Sequence, residues 1–199
     1  MVEVSPDDEM ALGWAFSTPS SRGRLLRERV HKGGSITAQD VAAIREEWIA
    51  AGQPVFRRHV HRDLVHLPDG TPCIAVSFSD DAPYARDVSP DFGLYFDARW
   101  EPPWPHDHVY WPDFGLPDHG ALANALDALL ARARAGERVE IGCYGGHGRT
   151  GTALACLAVL MGVPESEAVT WVRANYCRAA IETEEQSAFV ANFERDARP

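Results

Sequence analysis

Eight residues, positions 143–150, constrain the fold of this chain more than any other feature: they read Cys-Tyr-Gly-Gly-His-Gly-Arg-Thr. Residues 139–142 before them form a short apolar run that predicts a strand, and residues 151–161 after them have the composition of a helix. A strand therefore ends at a thiol, a glycine-rich turn follows, and an arginine closes the turn as a helix begins. In an α/β fold this order puts Cys143 at the carboxyl end of a strand, where ligands bind.

The turn has the chemistry of an anion-binding loop built around a nucleophile. Backbone N–H groups of a tight turn and of a helix start point toward a bound oxyanion, and the helix dipole adds positive potential. Arg149 adds a planar guanidinium that grips two oxygens at once. The same positive field favours the thiolate form of the cysteine. We expect the phosphate-binding loop to consist of Cys143, Tyr144, Gly145, Gly146, His147, Gly148 and Arg149.

A second unusual string, Trp-Pro-Asp-Phe-Gly-Leu-Pro-Asp, occupies residues 111–118. Trp111 and Pro112 form a stiff edge and Gly115 gives flexibility, which suits a loop that closes with Asp113 as its acid. Asp118 is the rival acid, and we interpret it as the N-cap of the next helix. The other three cysteines lack an arginine six positions on, and we interpret them as buried small apolar residues: Cys73, Cys156 and Cys177.

These strings resemble those of the cysteine-dependent protein tyrosine phosphatase superfamily, which includes the dual-specificity enzymes. The family loop (Cys, five residues, Arg, then Ser or Thr) matches at Cys143, Arg149 and Thr150, and the family's Trp-Pro-Asp acid loop matches at residues 111–113. Residues 178–186 resemble a glutamine-bearing loop of several members and supply Gln186. The resemblance covers roughly residues 90–199.

The resemblance implies two-step hydrolysis of a phosphate monoester through a phosphocysteine intermediate. Cys143 is then the nucleophile and Arg149 stabilises the transferring phosphoryl group. Asp113 acts first as acid and then as base. Thr150 donates its hydroxyl to the departing sulfur, and Gln186 positions the water. No metal and no cofactor are expected, because the loop already supplies the positive charge.

The sequence departs from the family pattern at one position beside the nucleophile. Many members have His directly before the cysteine, whereas this chain has Gly142. His147 lies inside the loop and is the candidate to compensate. The lysine-rich tyrosine-recognition loop of the receptor-type relatives has no counterpart, since the chain holds a single lysine, Lys32.

The substrate class stays open at the sequence level. The leading prediction is a phosphorylated protein or peptide, with either tyrosine-only or dual specificity. The alternatives are a phosphoinositide, nucleotide or RNA 5′ end, a non-catalytic phosphate-binding module, and sulfur transfer through a persulfide. The loop carries no lysine, which weakens the phosphoinositide hypothesis. The presence of both Asp113 and Cys143 weakens the hypotheses of a non-catalytic module and of sulfur transfer.

Composition limits which binding partners and which cellular location we expect for this protein. The formal net charge is −10 at pH 7, which argues against general nucleic-acid binding. No stretch approaches the length of a membrane span and no secretion signal stands at the N-terminus, so we expect no membrane contact and a cytoplasmic location. The pairs His59/His61 and His106/His108 are interpreted as structural or surface histidines rather than metal ligands. The oligomeric state is not predicted.

The pattern of elements predicts an α/β fold with a central, mostly parallel sheet and helices on both faces. We expect one phosphatase domain over residues 1–199, in which residues 1–85 elaborate a catalytic core of about 90–199. Helices are predicted from Thr37 to Gly52 and over residues 119–135, 151–161, 164–176 and 184–194. Strands are predicted around residues 55–60, 64–67, 73–78 and 92–96 and near Val109 and Tyr110.

Overall fold

The computed structural model of the protein describes residues 25–26, 29, 37–50, 61–78, 83–113 and 115–193. In chain order its elements are α1 (Ala38–Ala50), β1 (Arg62–His66), β2 (Pro72–Ser77), β3 (Phe92–Tyr95), β4 (His106–His108), α2 (His119–Arg134), β5 (Val139–Cys143), α3 (Gly148–Leu160), α4 (Glu165–Asn175) and α5 (Glu184–Val190). The chain divides into two compact units, Met1–His59 with Glu182–Glu184, and Val60–Ile181 with Glu185–Pro199. The predicted strand at 55–60 lies outside the described residues. No helix in the described ranges is both long enough and apolar enough to cross a bilayer.

Strand β5 lies at the centre of a five-stranded sheet whose order is β1-β2-β5-β3-β4. Only β1 runs antiparallel to its neighbour, and the other three pairings are parallel. Ser77 pairs with Cys143 and Tyr95 pairs with Gly142, so the carboxyl ends of β2, β5 and β3 meet at one edge. The predicted mostly parallel sheet flanked by helices is confirmed, and the nucleophile candidate lies at the predicted edge.

One face of the sheet packs against the helices. Alternate residues of β2, β3 and β5 point into a single apolar core that α2, α3, α4 and α5 complete. Helix α3 is buried along nearly its whole length, so both of its sides contact other parts of the core. The buried members from the strands and from α3 include Cys73, Ala75, Leu94, Ile141, Leu154 and Leu157. This core fixes the axis of α3 against β5, and with it the turn between them.

The opposite face of β5 carries a buried charge. Glu140 is fully buried and accepts two hydrogen bonds from Arg86, at 2.8 and 2.9 Å. It also accepts the hydroxyl hydrogen of Tyr95 at 2.8 Å, and Trp104 donates its indole N–H to that same hydroxyl oxygen at 2.7 Å. Burial, reinforced by the Glu140 carboxylate, raises the pKa of Tyr95 far above its usual range, so the hydroxyl stays protonated.

Loop aromatics cover this second face near the carboxyl edge. Phe78 stacks on Trp100 with ring centroids 3.4 Å apart, and Tyr95 meets Phe78 edge-on at 5.3 Å. Together with Val76 these three residues form a separate buried cluster. The loop that contains Trp100 is therefore ordered by aromatic packing against this face.

The first unit is described by α1 and a few neighbouring residues. Thr37 accepts the backbone N–H of Asp40 at 3.2 Å, and the Asp40 carboxylate accepts the N–H of Thr37 at 3.0 Å. This reciprocal pair is a capping box at the start of α1. The hydrogen bonds of Thr37 and the charge of Arg29 lower the pKa of Asp40 despite the opposing effect of burial.

Two elements differ from the sequence prediction. The strand expected near Val109 and Tyr110 lies at His106–His108 instead. Val109 still donates its N–H to the Tyr95 carbonyl, but Tyr110 is 84% exposed, so the chain has left the sheet by then. Helix α3 begins at Gly148 rather than residue 151, so the turn carrying Arg149 is already helical.

The Arg86–Glu140 pair generates a stability prediction. The Glu140→Ala variant leaves a buried guanidinium without its carboxylate, so unfolding free energy should fall by about 3–5 kcal/mol. Glu137→Ala is the matched control, since Glu137 pairs with Arg132 at the surface and its removal should cost about 1 kcal/mol or less. Urea unfolding followed by circular dichroism measures both, and equal losses would contradict the anchoring role of Glu140.

Candidate active site

The turn after β5 contains a glycine in the left-handed region of backbone conformation. Gly146 has a φ of +72°, and a side chain there would meet His61 Cδ2 at 2.8 Å and Ser77 Cβ at 3.0 Å. The backbone can therefore take this path only with glycine. His147 is the N-cap of α3, but its side chain makes no capping hydrogen bond. The first N–H groups of α3 keep the geometry that binds anions at helix starts.

Arg149 lies in the first turn of α3 and is almost fully buried. It donates through Nη1 to the Phe96 carbonyl at 2.8 Å and to the Trp111 carbonyl at 3.3 Å. Its Nη2 lies 3.2 Å from Asp113 Oδ1 and 3.6 Å from Asp97 Oδ2. The guanidinium thus joins three segments: the end of β3, the acid-loop string and the cysteine loop.

The acid-loop string is anchored at its tryptophan. Trp111 is buried, packs edge-on against Phe96 at 5.2 Å and donates its indole N–H to the Gly115 carbonyl at 2.8 Å. Gly115 in turn donates its N–H to the Pro112 carbonyl at 2.9 Å, which closes a tight turn. Asp113 at the tip of this turn keeps 59% of its side chain exposed while touching Arg149. The two strings that the sequence singled out therefore meet in space.

A buried hydrogen-bonded chain supports the loop from behind. His147 Nε2 lies 3.2 Å from His61 Nε2, and His61 Nδ1 lies 2.7 Å from the Asp63 carboxylate. Both imidazoles are almost fully buried and meet at an interplanar angle of 76°. The carboxylate can only accept, so His61 donates from Nδ1. His61, the residue just before edge strand β1, thereby fixes a side chain inside the loop.

The segment from the acid loop to α5 is similar to a known family of domains. The family model described as PTP-SAK, Swiss Army Knife protein, DSP-PTPase phosphatase domain matches residues 111–190, from the anchored tryptophan to the end of α5. Residues 111–190 of the chain therefore match a phosphatase domain of the tyrosine and dual-specificity superfamily.

Two relatives of this phosphatase domain come from Methanocaldococcus jannaschii. The uncharacterized proteins MJECL20 and MJ0215 are 41% and 38% identical to the chain over 81 residues. The match covers 41% of this chain and 54% and 50% of the two relatives. The chain therefore spans about half the length of the curated relatives it matches.

A solved structure supports the fold of the phosphatase domain. Kinase-associated phosphatase, crystallised with its catalytic-site cysteine replaced by serine, superposes with a TM-score of 0.57 at 18% identity. The superposition covers 72% of this chain and 98% of that chain. At this identity the likeness concerns the fold alone.

Gly142 explains why the histidine that precedes the nucleophile in many members of the family is missing here. A Cβ at this position would lie 2.5 Å from Val76 Cγ2, 2.8 Å from the Val76 carbonyl oxygen and 3.1 Å from Phe78 Cε1. The residue faces the aromatic cluster rather than the loop, and the cluster leaves no space for a side chain. His147, which contacts His61, is the imidazole that lies within the cysteine loop.

Two further predicted site residues are buried. Thr150 is fully buried, and within the described residues its hydroxyl makes no hydrogen bond. Gln186 on α5 is also buried, so it is not a surface helix residue. The structure gives Asp118 the predicted capping role, since its carboxylate accepts the Ala121 N–H at 2.8 Å. The catalytic roles of Thr150 and Gln186 stay predictions.

Asp97 belongs to the site but escaped sequence reasoning. It directly follows the predicted end of β3, and no motif marks it. Burial raises the pKa of Asp97, but the hydrogen bonds of Arg99 and the charges of Arg149 and Arg99 outweigh burial and lower it overall. Asp97 is therefore a carboxylate near neutral pH. The parallel register, which puts the ends of β3 and β5 side by side, is the signal that could have found it.

Tyr176 also escaped the sequence analysis. Its hydroxyl donates to the Gly146 carbonyl, and its ring lies 4.8 Å from that of His61. Burial is the main cause that raises the pKa of Tyr176 well above its usual value, and the charge of nearby Cys143 adds to it. The Tyr176 hydroxyl therefore remains a hydrogen-bond donor. Tyr176 is the C-cap residue of α4, so the end of this helix holds the Gly146 carbonyl in place.

The remaining cysteines are buried free thiols, as predicted. Burial raises the pKa of Cys73 to about 12 and lifts those of Cys156 and Cys177 above their usual range. These three sulfurs therefore stay protonated near neutral pH.

A second guanidinium lies beside the cysteine loop. Arg99 lies over the ring of Tyr144, with its guanidinium carbon 5.1 Å from the ring centroid.

The buried histidine pair yields a prediction about the loop. The His61→Ala variant leaves His147 Nε2 without its partner in a buried site, which should lower the unfolding free energy by about 1–3 kcal/mol. His66→Ala on the same strand is the control, because His66 is exposed and should change stability by about 0.5 kcal/mol or less. Urea denaturation compares the two variants, and indistinguishable midpoints would show that the pair does not support the loop.

Proposed function

We propose that this protein hydrolyses phosphate monoesters without a metal, through a phosphocysteine intermediate. The observation that carries the proposal is the 3.2 Å contact between Arg149 and Asp113. This contact brings Asp113, from the string at residues 111–118, to Arg149, from the string at residues 143–150. An anion cradle, a thiol and a carboxylic acid beside one another are the parts that this reaction needs.

In the first step the Cys143 thiolate attacks phosphorus, the S–P bond forms and the bond to the leaving oxygen breaks. The loop amides and Arg149 hold the equatorial oxygens and stabilise the charge that develops on them. Asp113 gives its proton to the departing alkoxide or phenoxide. The carbonyls of Phe96 and Trp111 hold Nη1 of Arg149, which supports a fixed orientation of the guanidinium.

In the second step water attacks phosphorus, the S–P bond breaks and inorganic phosphate leaves. Asp113, now a carboxylate, takes the proton from the water, and Gln186 orients that water. Thr150 donates its hydroxyl to the sulfur as it departs. The buried Thr150 hydroxyl, which makes no hydrogen bond within the described residues, supports this role, since a buried donor is normally satisfied in some state of the reaction.

We propose a phosphorylated protein or peptide as the substrate, in a reducing compartment such as the cytoplasm. Two exposed apolar side chains flank the acid loop: Tyr110 is 84% and Leu116 41% exposed. An apolar surface on both sides of Asp113 suits the side chains of a peptide. The four free thiols suit the reducing compartment in which a reactive cysteine persists.

The alternative keeps the chemistry and changes the substrate to a phosphoinositide, nucleotide or RNA 5′ end. Arg99 beside Tyr144 favours a more highly charged ligand, because it adds a guanidinium at the outer side of the loop. A comparison of kcat/KM on a phosphotyrosyl peptide, inositol phosphates and 5′-phosphorylated RNA decides between the classes.

The nucleophile is tested by Cys143→Ser. Hydrolysis of an aryl phosphate should fall by at least about 10³-fold, because a serine hydroxyl is a weak nucleophile at its ordinary pKa. Cys73→Ala is the control, since this buried thiol lies on β2 away from the loop and its loss should leave turnover near the wild-type value. Turnover of the serine variant close to that of the control would exclude the phosphocysteine.

The acid is tested by Asp113→Asn, which keeps the shape of the side chain but removes its proton. We expect kcat to fall by about 10²–10⁴-fold. KM should change little, since only leaving-group protonation is lost. Asp118→Asn is a matched control, because asparagine caps a helix as well as aspartate does. A similar kcat for the two variants would remove Asp113 from the mechanism.

A further inference from the structure

We propose that Glu101, His106 and His108 form a binding site for a divalent transition-metal ion, most favourably Zn²⁺, separate from the reaction centre. The three side chains offer one carboxylate oxygen and two imidazole nitrogens, and these ligand atoms lie within 4.8 Å of one another. The two histidines are on β4 and the glutamate is on the loop before it. Sequence alone favoured structural or surface histidines at these two positions.

Two backbone carbonyls fix the tautomers of the histidines. His106 Nδ1 lies 2.8 Å from the Trp104 carbonyl oxygen, and His108 Nε2 lies 2.8 Å from the Trp100 carbonyl oxygen. A carbonyl only accepts, so both of these nitrogens carry hydrogen. The lone pairs remain on His106 Nε2 and His108 Nδ1. Ligating histidines in metal sites almost always donate their second N–H to such a partner.

One of the remaining lone pairs meets a carboxylate. His106 Nε2 lies 3.3 Å from Glu101 Oε2. With metal–ligand bonds of about 2.0–2.1 Å, two ligand atoms of a tetrahedral zinc ion lie roughly 3.3 Å apart. Two imidazole nitrogens with one carboxylate select a borderline ion such as Zn²⁺ over Mg²⁺ or Ca²⁺, which prefer oxygen donors only. A fourth position remains for water.

The surroundings hold the ligands while leaving the ion access. Tyr84 accepts the backbone N–H of Glu101 at 3.0 Å, which fixes the start of the ligand loop. The His106 and His108 rings lie 5.1 Å apart, and each flanks the ring of buried Tyr95 at about 6 Å (5.9 and 6.2 Å). The Glu101 side chain is 69% exposed, so an ion can enter from solvent.

A proton on His106 is the competing occupant, since it would turn the contact with Glu101 into an ion pair. That ion pair uses only two of the three clustered side chains, whereas a metal ion can use all three. A second candidate cluster in the described residues joins His61, His147 and Cys177. There the two Nε2 atoms already share a hydrogen bond, so the cluster is satisfied without an ion.

Metal binding is tested on the Cys143→Ser protein, so that the reactive thiol cannot bind the ion and no activity is needed. Zn²⁺ is titrated in competition with a chromophoric chelator. We expect one ion per chain, with the same affinity after a further His66→Gln change on exposed β1. Either Glu101→Gln or His106→Gln should weaken binding by at least about tenfold. Far-UV circular dichroism and the urea midpoint verify that each variant is folded.

Cobalt identifies the ligands directly. Co²⁺ bound to nitrogen and oxygen gives visible d–d bands without a sulfur charge-transfer band, and that spectrum should disappear in the His106→Gln protein. The proposal is overturned if the Cys143→Ser protein binds no Zn²⁺, if either ligand variant retains full affinity, or if a thiolate band shows that the ion sits on Cys177. None of these outcomes bears on phosphatase activity, which is measured separately.

Discussion

The guanidinium of Arg149 is the interaction on which the site depends. It is buried, and a buried cation is tolerated only where its donors are satisfied. Two main-chain carbonyls and two carboxylates, from Phe96, Trp111, Asp97 and Asp113, meet this requirement. Because these partners come from β3 and from the acid-loop string, one side chain sets the relative positions of the segments around the cysteine loop.

Two side chains outside the cysteine loop also hold it in place. The Tyr176 hydroxyl fixes the Gly146 carbonyl, and the His61 imidazole fixes the side chain of His147. These two contacts hold the loop in one conformation, and such preorganisation is what electrostatic catalysis requires.

Much of this arrangement could be predicted from sequence. The strand–turn–helix order placed Cys143 at the carboxyl edge, and the two strings named the residues that meet at Arg149. Four residues around the loop could not be found in this way: Asp97, His61, Asp63 and Tyr176. Strand register brings the residues of the sheet to the loop, and a long-range aromatic contact joins Tyr176 to His61. β4 was placed too late because the exposed Tyr110 has strand-like composition without a strand partner, and composition carries no information about pairing.

Gly142 has an evolutionary consequence. Reintroducing the imidazole that many relatives carry just ahead of their nucleophile would force it into Val76 and Phe78, whose atoms lie within about 3 Å of the missing Cβ. A single codon change at this site would therefore be selected against, however useful the imidazole. Smaller side chains at positions 76 and 78 would not remove this conflict, because the Val76 carbonyl oxygen lies 2.8 Å from the same point. One absent methyl group therefore makes an imidazole ahead of the cysteine incompatible with this backbone.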